Sequence, residues 1–294
     1  MTLDILLPFW GNPDYLFATV ESVLAQDCDS WRLIVVDDQY PDDRVPEYFE
    51  KLLDTRVTYL RNEVNLGITD NYRRCLELAT EDYLLFLGCD DIMHPNYVST
   101  ILRALEVSPD VDMIQPEVDV IDADGEITHP LGDRIKNLLR PSTRQGARII
   151  YGESAAASLL NGNWLYWPSI TFRRETLLRT PFRDGFPLIQ DLALEIDILA
   201  AGGTLLVEPT RCFSYRRHES SASSAKLLDG SRFEGERRYF EVAAEVMSAN
   251  GWRSAELAAK LHLTSRLYAL SLLPEAIRTH DRAAITALLT HCVR

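Results

Sequence analysis

Short, almost continuous runs of hydrophobic residues recur through the first 120 residues and alternate with segments of helical spacing. Strands that are covered on both faces show such runs, because neither side of the strand meets water. Repeated strand–helix–strand units predict an α/β fold in which a mostly parallel sheet has helices on both sides. The predicted strands are Leu3–Phe9, Arg32–Val36, Val57–Leu60, Tyr83–Leu87 and Met113–Gln115. The predicted helices are Asp14–Ala25, Pro46–Leu53, Asp70–Ala79 and Tyr97–Glu106.

The pattern is less regular after residue 118. Val118–Ile121 and Glu126–Thr128 flank a turn that ends in Gly125, which predicts a hairpin. Residues 130–147 show only weak periodicity, so we expect a mobile loop there. The remaining predicted elements are the helices Ser154–Leu160 and Asp191–Ala201 and the strands Ser169–Arg173, Thr204–Val207 and Arg211–Arg217.

The last part of the chain is helix-forming from about Arg232 onward, with Pro274 as its clear break. We therefore predict an α/β domain over residues 1–230 and a C-terminal helical region over residues 231–294. This region is expected to pack on the main domain or to form a homodimer with a second copy. Contact with an acceptor molecule or with a membrane surface is the alternative.

The charge and composition exclude several classes of protein. A net charge of −14 argues against nucleic-acid binding, which depends on clustered Lys and Arg. No apolar run reaches the length of a transmembrane segment, and the first residues lack the features of a signal peptide, so we expect a cytoplasmic protein. The five cysteines are scattered without a CxxC pair, which indicates neither a zinc site nor a disulfide framework.

Acidic pairs directly follow two of the predicted strands. In an open parallel sheet, ligands bind beyond the carboxyl ends of the strands. Asp37 and Asp38 come after one strand, where carboxylates accept hydrogen bonds from a base or a ribose hydroxyl. Asp90 and Asp91 follow another, and adjacent carboxylates repel each other unless a cation joins them. A divalent metal, Mg²⁺ or Mn²⁺, would resolve that repulsion. Use of these residues in turns or helix caps is the alternative.

Three further segments carry candidate chemistry. Asp191 begins a predicted helix, where the dipole stabilises an ionised carboxylate that suits a general base, although plain capping is the alternative. His218 lies in the cationic segment 215–220, which could hold a diphosphate or a metal or form a solvated strand edge. Trp164 and Trp167 belong to an aromatic cluster that suits either a sugar-binding wall or core filling.

Together these segments resemble the family 2 glycosyltransferases, which have the GT-A fold. The resemblance covers roughly residues 3–224 and depends on the order and spacing of its parts rather than on any one of them. The matching segments are Ile5–Asn12, Glu21–Gln26, Leu33–Asp38, Asn65–Gly67 with Asn71, Ala79–Asp91, Gln190–Asp191 and Tyr215–His218. It implies a Rossmann-like, mostly parallel central sheet flanked by helices, to which the C-terminal helices are an appendage.

The resemblance also implies roles for individual residues. Asp38 would bind the nucleotide base, Asp90 the ribose or donor sugar, and Asp91 a divalent metal. Asp191 would be the general base, and His218 would reach the diphosphate or the metal. The other donor-binding residues would be Pro8, Phe9, Asn65, Gly67 and Asn71, with Trp164 and Trp167 on the acceptor side.

The activity implied is metal-dependent, inverting transfer of a sugar from a nucleotide diphosphate, with a UDP-sugar favoured. The acceptor would be a hydroxyl of a carbohydrate or glycolipid, in polysaccharide, glycolipid or glycoconjugate synthesis, with the segment 130–147 near the acceptor. Two departures bear on this: Gly88 stands where many relatives have Asp, and Gln190 replaces a common Glu. The alternatives are a sugar-phosphate nucleotidyltransferase and a binding module that has lost catalysis.

Overall fold

A computed structural model of the protein describes residues 1–218, 231–279 and 281–293. The strands are β1 (Leu3–Phe9), β2 (Trp31–Asp37), β3 (Val57–Arg61), β4 (Tyr83–Phe86), β5 (Ile92–Met93), β6 (Met113–Ile121), β7 (Arg148–Tyr151), β8 (Thr171–Arg173) and β9 (Thr204–Arg216). The first helices are α1 (Pro13–Leu24), α2 (Arg44–Lys51), α3 (Ile68–Leu78), α4 (Tyr97–Val107), α5 (Leu131–Leu139) and α6 (Gly152–Asn161). They are followed by α7 (Arg174–Arg179), α8 (Gln190–Ala200), α9 (Ser231–Ala249), α10 (Arg253–Leu261), α11 (Leu263–Arg278) and α12 (Arg282–Val293).

One sheet organises the molecule. Its strand order is β3-β2-β1-β4-β8-β6-β9-β5, and β7 pairs with β9. β1 to β4 are mutually parallel, whereas β8 runs antiparallel to both β4 and β6. The predicted α/β fold with a mostly parallel sheet flanked by helices is therefore confirmed. Because β1, β2 and β4 point the same way, the segments that follow them meet at one edge of the sheet.

The sheet separates two hydrophobic cores. Alternate residues of one strand enter opposite cores, as in β1, where Leu6 faces one core and Ile5 and Leu7 face the other. Helices α6, α8, α9 and α10 cover the core that contains Leu6, and α1, α2 and α4 cover the other. Burial on both faces explains why the strands are almost continuously apolar.

Helices alone occupy the described residues beyond 230. Helices α9 and α10 join the larger core, while Phe233, Ala269 and Leu288 bring α9, α11 and α12 together in a smaller cluster. In the described ranges, no helix combines the length and the apolar character needed to cross a membrane.

Four predictions about local structure differ from what the structure shows. Residues 130–147 are not simply a loop, because they contain α5, whose Asp133 is buried against the protein. The two strands predicted before residue 218 form one strand, β9, and a register shift against β6 accommodates its Pro209. Pro274 lies inside α11 and does not end it. The predicted hairpin is reduced to a turn at Gly125 and an isolated bridge between Ile121 and Ile127.

Candidate active site

The acidic pair lies where β4 ends. The Asp91 side chain is fully buried, and its Oδ1 accepts a hydrogen bond of 2.8 Å from the backbone N–H of Arg216 on β9. Its other oxygen, Oδ2, has no hydrogen-bond partner. Burial, and next the charge of Asp90, raise the pKa of Asp91 well above its usual range. A buried carboxyl oxygen without a partner is costly, so this position favours a ligand that can satisfy it.

His218 completes this part of the site. Its Nε2 lies 2.7 Å from Asp90 Oδ2, and its ring packs 5.1 Å from the ring of Tyr15. The Asp90 side chain is partly exposed, in contrast to Asp91. The structure thus brings together three of the residues that the sequence nominated, from the end of β4 and from the segment after β9.

These oxygens suit a metal that keeps few protein ligands. In the described ranges, no group of three or more His, Cys, Asp or Glu side chains is placed to hold a metal ion. Mg²⁺ sites commonly use one or two carboxylates, with substrate phosphates and water completing the shell. The unpartnered Oδ2 of Asp91 beside Asp90 fits that type of site.

The arginines next to His218 have structural roles. Arg216 donates from Nε to the backbone oxygen of Asp90 at 2.7 Å and from Nη1 to that of Asp122 at 3.1 Å. Arg217 forms an ion pair with the buried Asp133 of α5 at 2.8 Å. Both guanidinium groups are thus engaged with the protein.

Asp38 anchors a loop at the end of β2. Its carboxylate accepts hydrogen bonds from Asn62 Nδ2 at 2.8 Å, from the N–H of Leu66 at 2.8 Å and from the N–H of Gly67 at 2.9 Å. Gly67 adopts a φ of 82°, a left-handed conformation that glycine adopts without strain. The buried Asp38 therefore shapes the 62–67 loop, and a contact with a nucleotide base stays a prediction.

The other predicted donor-binding residues take different positions. Asn65 accepts a hydrogen bond from the Gly67 N–H and shapes the same loop, and Pro8 is partly exposed in β1. Asn71 is buried and donates to the backbone oxygen of Val36. The Phe9 side chain is also buried in the core, and its contact with the donor stays a prediction. Phe9 instead supplies the backbone oxygen that receives the Asp38 N–H.

Asp191 is the second residue of α8 and is partly exposed. The preceding Gln190 accepts a hydrogen bond of 2.8 Å from Thr69 at the start of α3. This contact ties the start of α8 to the loop that Asp38 anchors, since Gly67 immediately precedes α3. The dipole of α8 stabilises an ionised carboxylate at this position.

A buried charged group lies one turn further along α8. Glu195 is fully buried, and neither carboxyl oxygen has a hydrogen bond of normal geometry. Burial, and then the charge of Asp191, raise the pKa of Glu195 well above its usual range. Lys136 of α5 lies nearby, and burial lowers its pKa to about 8. Its Nζ donates to the backbone oxygen of Leu165 at 2.6 Å.

Sequence reasoning missed Lys136 and Glu195 for an identifiable reason. Neither lies after a strand, and each is separated from the acidic motifs along the chain. Glu195 does repeat the position of Asp191 after four residues, which places both on one helical face. This four-residue spacing is the feature of the sequence that could have identified Glu195.

The aromatic residues divide between core and surface. Trp164 is 1% exposed and belongs to the core, so it forms no open acceptor wall. Trp167 is also buried, although its indole N–H has no partner and its ring lies 5.9 Å from that of Tyr72. Trp10, by contrast, is 53% exposed and packs edge-on against Tyr40 after β1 and β2. An exposed tryptophan beside a strand end is a candidate stacking surface that the motifs did not single out.

Comparison with known proteins agrees with this geometry. The sequence model described as "Glycosyl transferase family 2" matches residues 4–179. The putative colanic acid biosynthesis glycosyl transferase WcaA of Escherichia coli K12 is 31% identical over 101 residues, which are 34% of this chain and 36% of that protein. WfaP of Escherichia coli, a UDP-Glc:alpha-D-GlcNAc-diphosphoundecaprenol beta-1,3-glucosyltransferase, is 27% identical over 104 residues, 35% of this chain and 41% of WfaP.

These two matches span less than half of each relative. A solved structure covers more: S. aureus TarS 1-349 in complex with UDP-GlcNAc superposes with a TM-score of 0.63 at 14% identity. That superposition covers 99% of this chain and 90% of the TarS chain, which shows a shared fold. Because the family model matches more than half of the sequence, the chain belongs to glycosyl transferase family 2, and it has the GT-A fold.

Proposed function

We propose that this protein transfers a sugar from a UDP-sugar to an acceptor hydroxyl with inversion, in a reaction that depends on a divalent cation. The observation that carries the proposal is the buried Asp91 Oδ2, which lacks a hydrogen-bond partner beside a second carboxylate, Asp90. An apolar ligand would leave this oxygen unsatisfied, whereas a cation with a diphosphate satisfies it.

Asp91, together with Asp90 or His218, would hold the cation. When bound, Mg²⁺ or Mn²⁺ neutralises the diphosphate and makes it a better leaving group. The chain fixes this region from several sides: Arg216 holds both aspartates, and Tyr15 packs against His218. His218 Nε2 contacts Asp90 Oδ2 at 2.7 Å, and once a cation engages that carboxylate the same nitrogen would be available to a diphosphate oxygen.

Two relatives support a UDP-sugar donor. WfaP is named for a UDP-Glc donor, and TarS has been solved with UDP-GlcNAc. The loop that Asp38 anchors would line the base pocket, with the exposed Trp10 as a stacking surface at its edge. A role in polysaccharide or glycolipid synthesis would match WcaA, which is named for colanic acid biosynthesis, and WfaP, which is named for alpha-D-GlcNAc-diphosphoundecaprenol as acceptor.

Asp191 would act as the general base. An ionised carboxylate near the start of α8 can take the proton of the acceptor hydroxyl as the oxygen attacks the anomeric carbon. Attack from the side opposite to the leaving diphosphate inverts the configuration at that carbon. Loss of a general base typically costs about 10²–10⁴-fold in rate.

The experiment compares wild type with Asp191→Asn in a sugar-transfer assay and in calorimetric titration with the same UDP-sugar and Mn²⁺. We expect transfer to fall by about 10²–10⁴-fold while donor binding is kept. Asp70→Asn, which changes an exposed carboxylate on α3, is the matched control and should retain both activities. Normal transfer by Asp191→Asn would refute the assignment.

The same assay separates the alternatives. A sugar-phosphate nucleotidyltransferase would release pyrophosphate from a nucleoside triphosphate and a sugar phosphate. An inactive binding module would bind a UDP-sugar but neither transfer nor slowly hydrolyse it. Either result would overturn the proposed transfer.

A further inference from the structure

Helix α5 is oriented opposite to an ordinary surface helix, which buries its apolar stripe. Leu131, Ile135 and Leu138 are 68%, 43% and 84% exposed. These positions follow the i, i+4, i+7 spacing, so they form one face of the helix. Asp133, by contrast, is buried against the protein.

Specific polar contacts hold α5 in this orientation. The Asp133 carboxylate accepts hydrogen bonds from Tyr166 Oη at 3.0 Å and Arg217 Nη2 at 2.8 Å. Lys136 donates to the Leu165 backbone oxygen at 2.6 Å. A half-turn rotation that buried the apolar face would break all of these contacts and would expose buried partners, so the outward apolar face is built into the fold.

A second helix extends the apolar face. On α11, Leu263, Leu267 and Leu270 repeat the same i, i+4, i+7 spacing and are all exposed. Leu139 of α5 and Thr264 of α11 both lie close to Gly162, where an added Cβ would be 2.6 Å from Leu139 Cδ1 and 3.0 Å from Thr264 Cγ2. We name the surface formed by Leu131, Ile135, Leu138, Leu263, Leu267 and Leu270 the α5–α11 face.

The charge of the residues around α5 indicates the kind of partner that this face suits. Residues 131–148 contain five basic residues and one acidic residue, in a chain whose net charge is −14. The acidic residue, Asp133, is buried and paired, whereas Arg134, Arg144 and Arg148 are exposed. Apolar residues beside exposed arginines complement a surface of anionic headgroups above acyl chains.

We propose that the α5–α11 face docks on the surface of an anionic lipid bilayer. The inner side of α5 carries Asp133, which pairs at 2.8 Å with Arg217, the residue next to His218 of the site. The docked bilayer would therefore adjoin the acceptor side of the site. A conclusion about the acceptor rests on the proposed function as well: the acceptor is amphiphilic and is presented from the bilayer by a lipid anchor.

The test is flotation of the full chain with phosphatidylcholine vesicles, with and without phosphatidylglycerol. We expect wild type to float with the anionic vesicles and to be released by high salt. A triple variant, Leu131→Ser, Ile135→Ser and Leu138→Ser, should lose about tenfold or more of its partition coefficient. Arg144→Gln and Arg148→Gln should each lose about fivefold on anionic vesicles only.

The matched control is Leu53→Ser, Val107→Ser and Leu178→Ser, which changes three exposed apolar residues elsewhere and should float like wild type. Equal flotation of the α5 variant and wild type, or no flotation of wild type, would overturn the proposal. So would a wild-type dimer without vesicles that the α5 variant converts to a monomer, because the face would then join two copies. A wild type that floats but transfers no sugar would refute only the proposed function.

Discussion

Gly88 is where a single added carbon tests the packing of the acidic pair most severely. A Cβ at this position would lie 2.3 Å from Asp91 Oδ2 and 3.1 Å from Asp90 Oδ1. The first distance is far below van der Waals contact, so the Asp91 carboxylate must move in Gly88→Ala. Gly88 is not among the residues with a positive φ, so the effect comes from this contact and not from the backbone.

The cost follows from how Asp91 is held. Movement breaks the 2.8 Å hydrogen bond from the Arg216 N–H to a buried carboxyl group, which costs about 1.5–3 kcal/mol. A side chain forced out of its rotamer costs about 0.5–1.5 kcal/mol more. If these costs, together about 2–4.5 kcal/mol, weaken the arrangement that binds the donor, donor affinity drops by about 30- to 1600-fold.

The assay is calorimetric titration of a UDP-sugar in the presence of Mn²⁺, with thermal unfolding measured alongside. Gly235→Ala on α9 is the control, because an added Cβ there meets no atom within 4 Å. We expect wild-type affinity in the control and the large loss in Gly88→Ala. Wild-type affinity and an unchanged melting temperature in Gly88→Ala would show that Asp91 does not occupy this position.

Two further predictions concern buried carboxylates. Burial raises the pKa of Glu195 in the folded protein above its ordinary 4.5, so at intermediate pH the folded state keeps a proton that the unfolded state releases. The free energy of unfolding therefore falls by about 1.4 kcal/mol per pH unit as the pH rises from the unfolded-state pKa to the folded-state pKa. Glu195→Gln cannot ionise, so its melting temperature should exceed that of wild type at pH 7 and match it near pH 4; a constant difference would contradict this. Asp38→Asn removes an acceptor for the Leu66 and Gly67 N–H groups and should cost about 1–3 kcal/mol of stability together with donor affinity. An unchanged denaturation midpoint would contradict the anchoring role.

The sheet could be predicted because its strands are buried on both faces. Residues such as Ile5 and Leu6 serve opposite cores, so the apolar runs are continuous and easily recognised. Helix α5 was missed for the complementary reason. Leu131, Ile135 and Leu138 point away from the protein while Asp133 is buried against it, so the usual expectation about helical faces failed.

The acidic motifs were identifiable because carboxylates at strand ends are local features of the sequence. Their partners are not local: Arg216, which holds Asp90 and Asp91, lies 125 residues after Asp91. Phe9 and Trp164 show a second limit of prediction from the sequence: an aromatic residue near a motif can bind a ligand or fill the core, and both of these side chains are buried. Only the three-dimensional packing distinguishes these cases.

The central claim is that Asp91, with Asp90, forms a cation-dependent site for the donor diphosphate. The most direct measurement is calorimetric titration of UDP-glucose and UDP-GlcNAc into wild type and Asp91→Asn, with Mn²⁺ and with EDTA. The account predicts that wild type binds a donor only with Mn²⁺, and that Asp91→Asn binds at least about tenfold more weakly although it melts no lower than wild type. Equal donor binding by wild type in EDTA, or by Asp91→Asn in Mn²⁺, would contradict it.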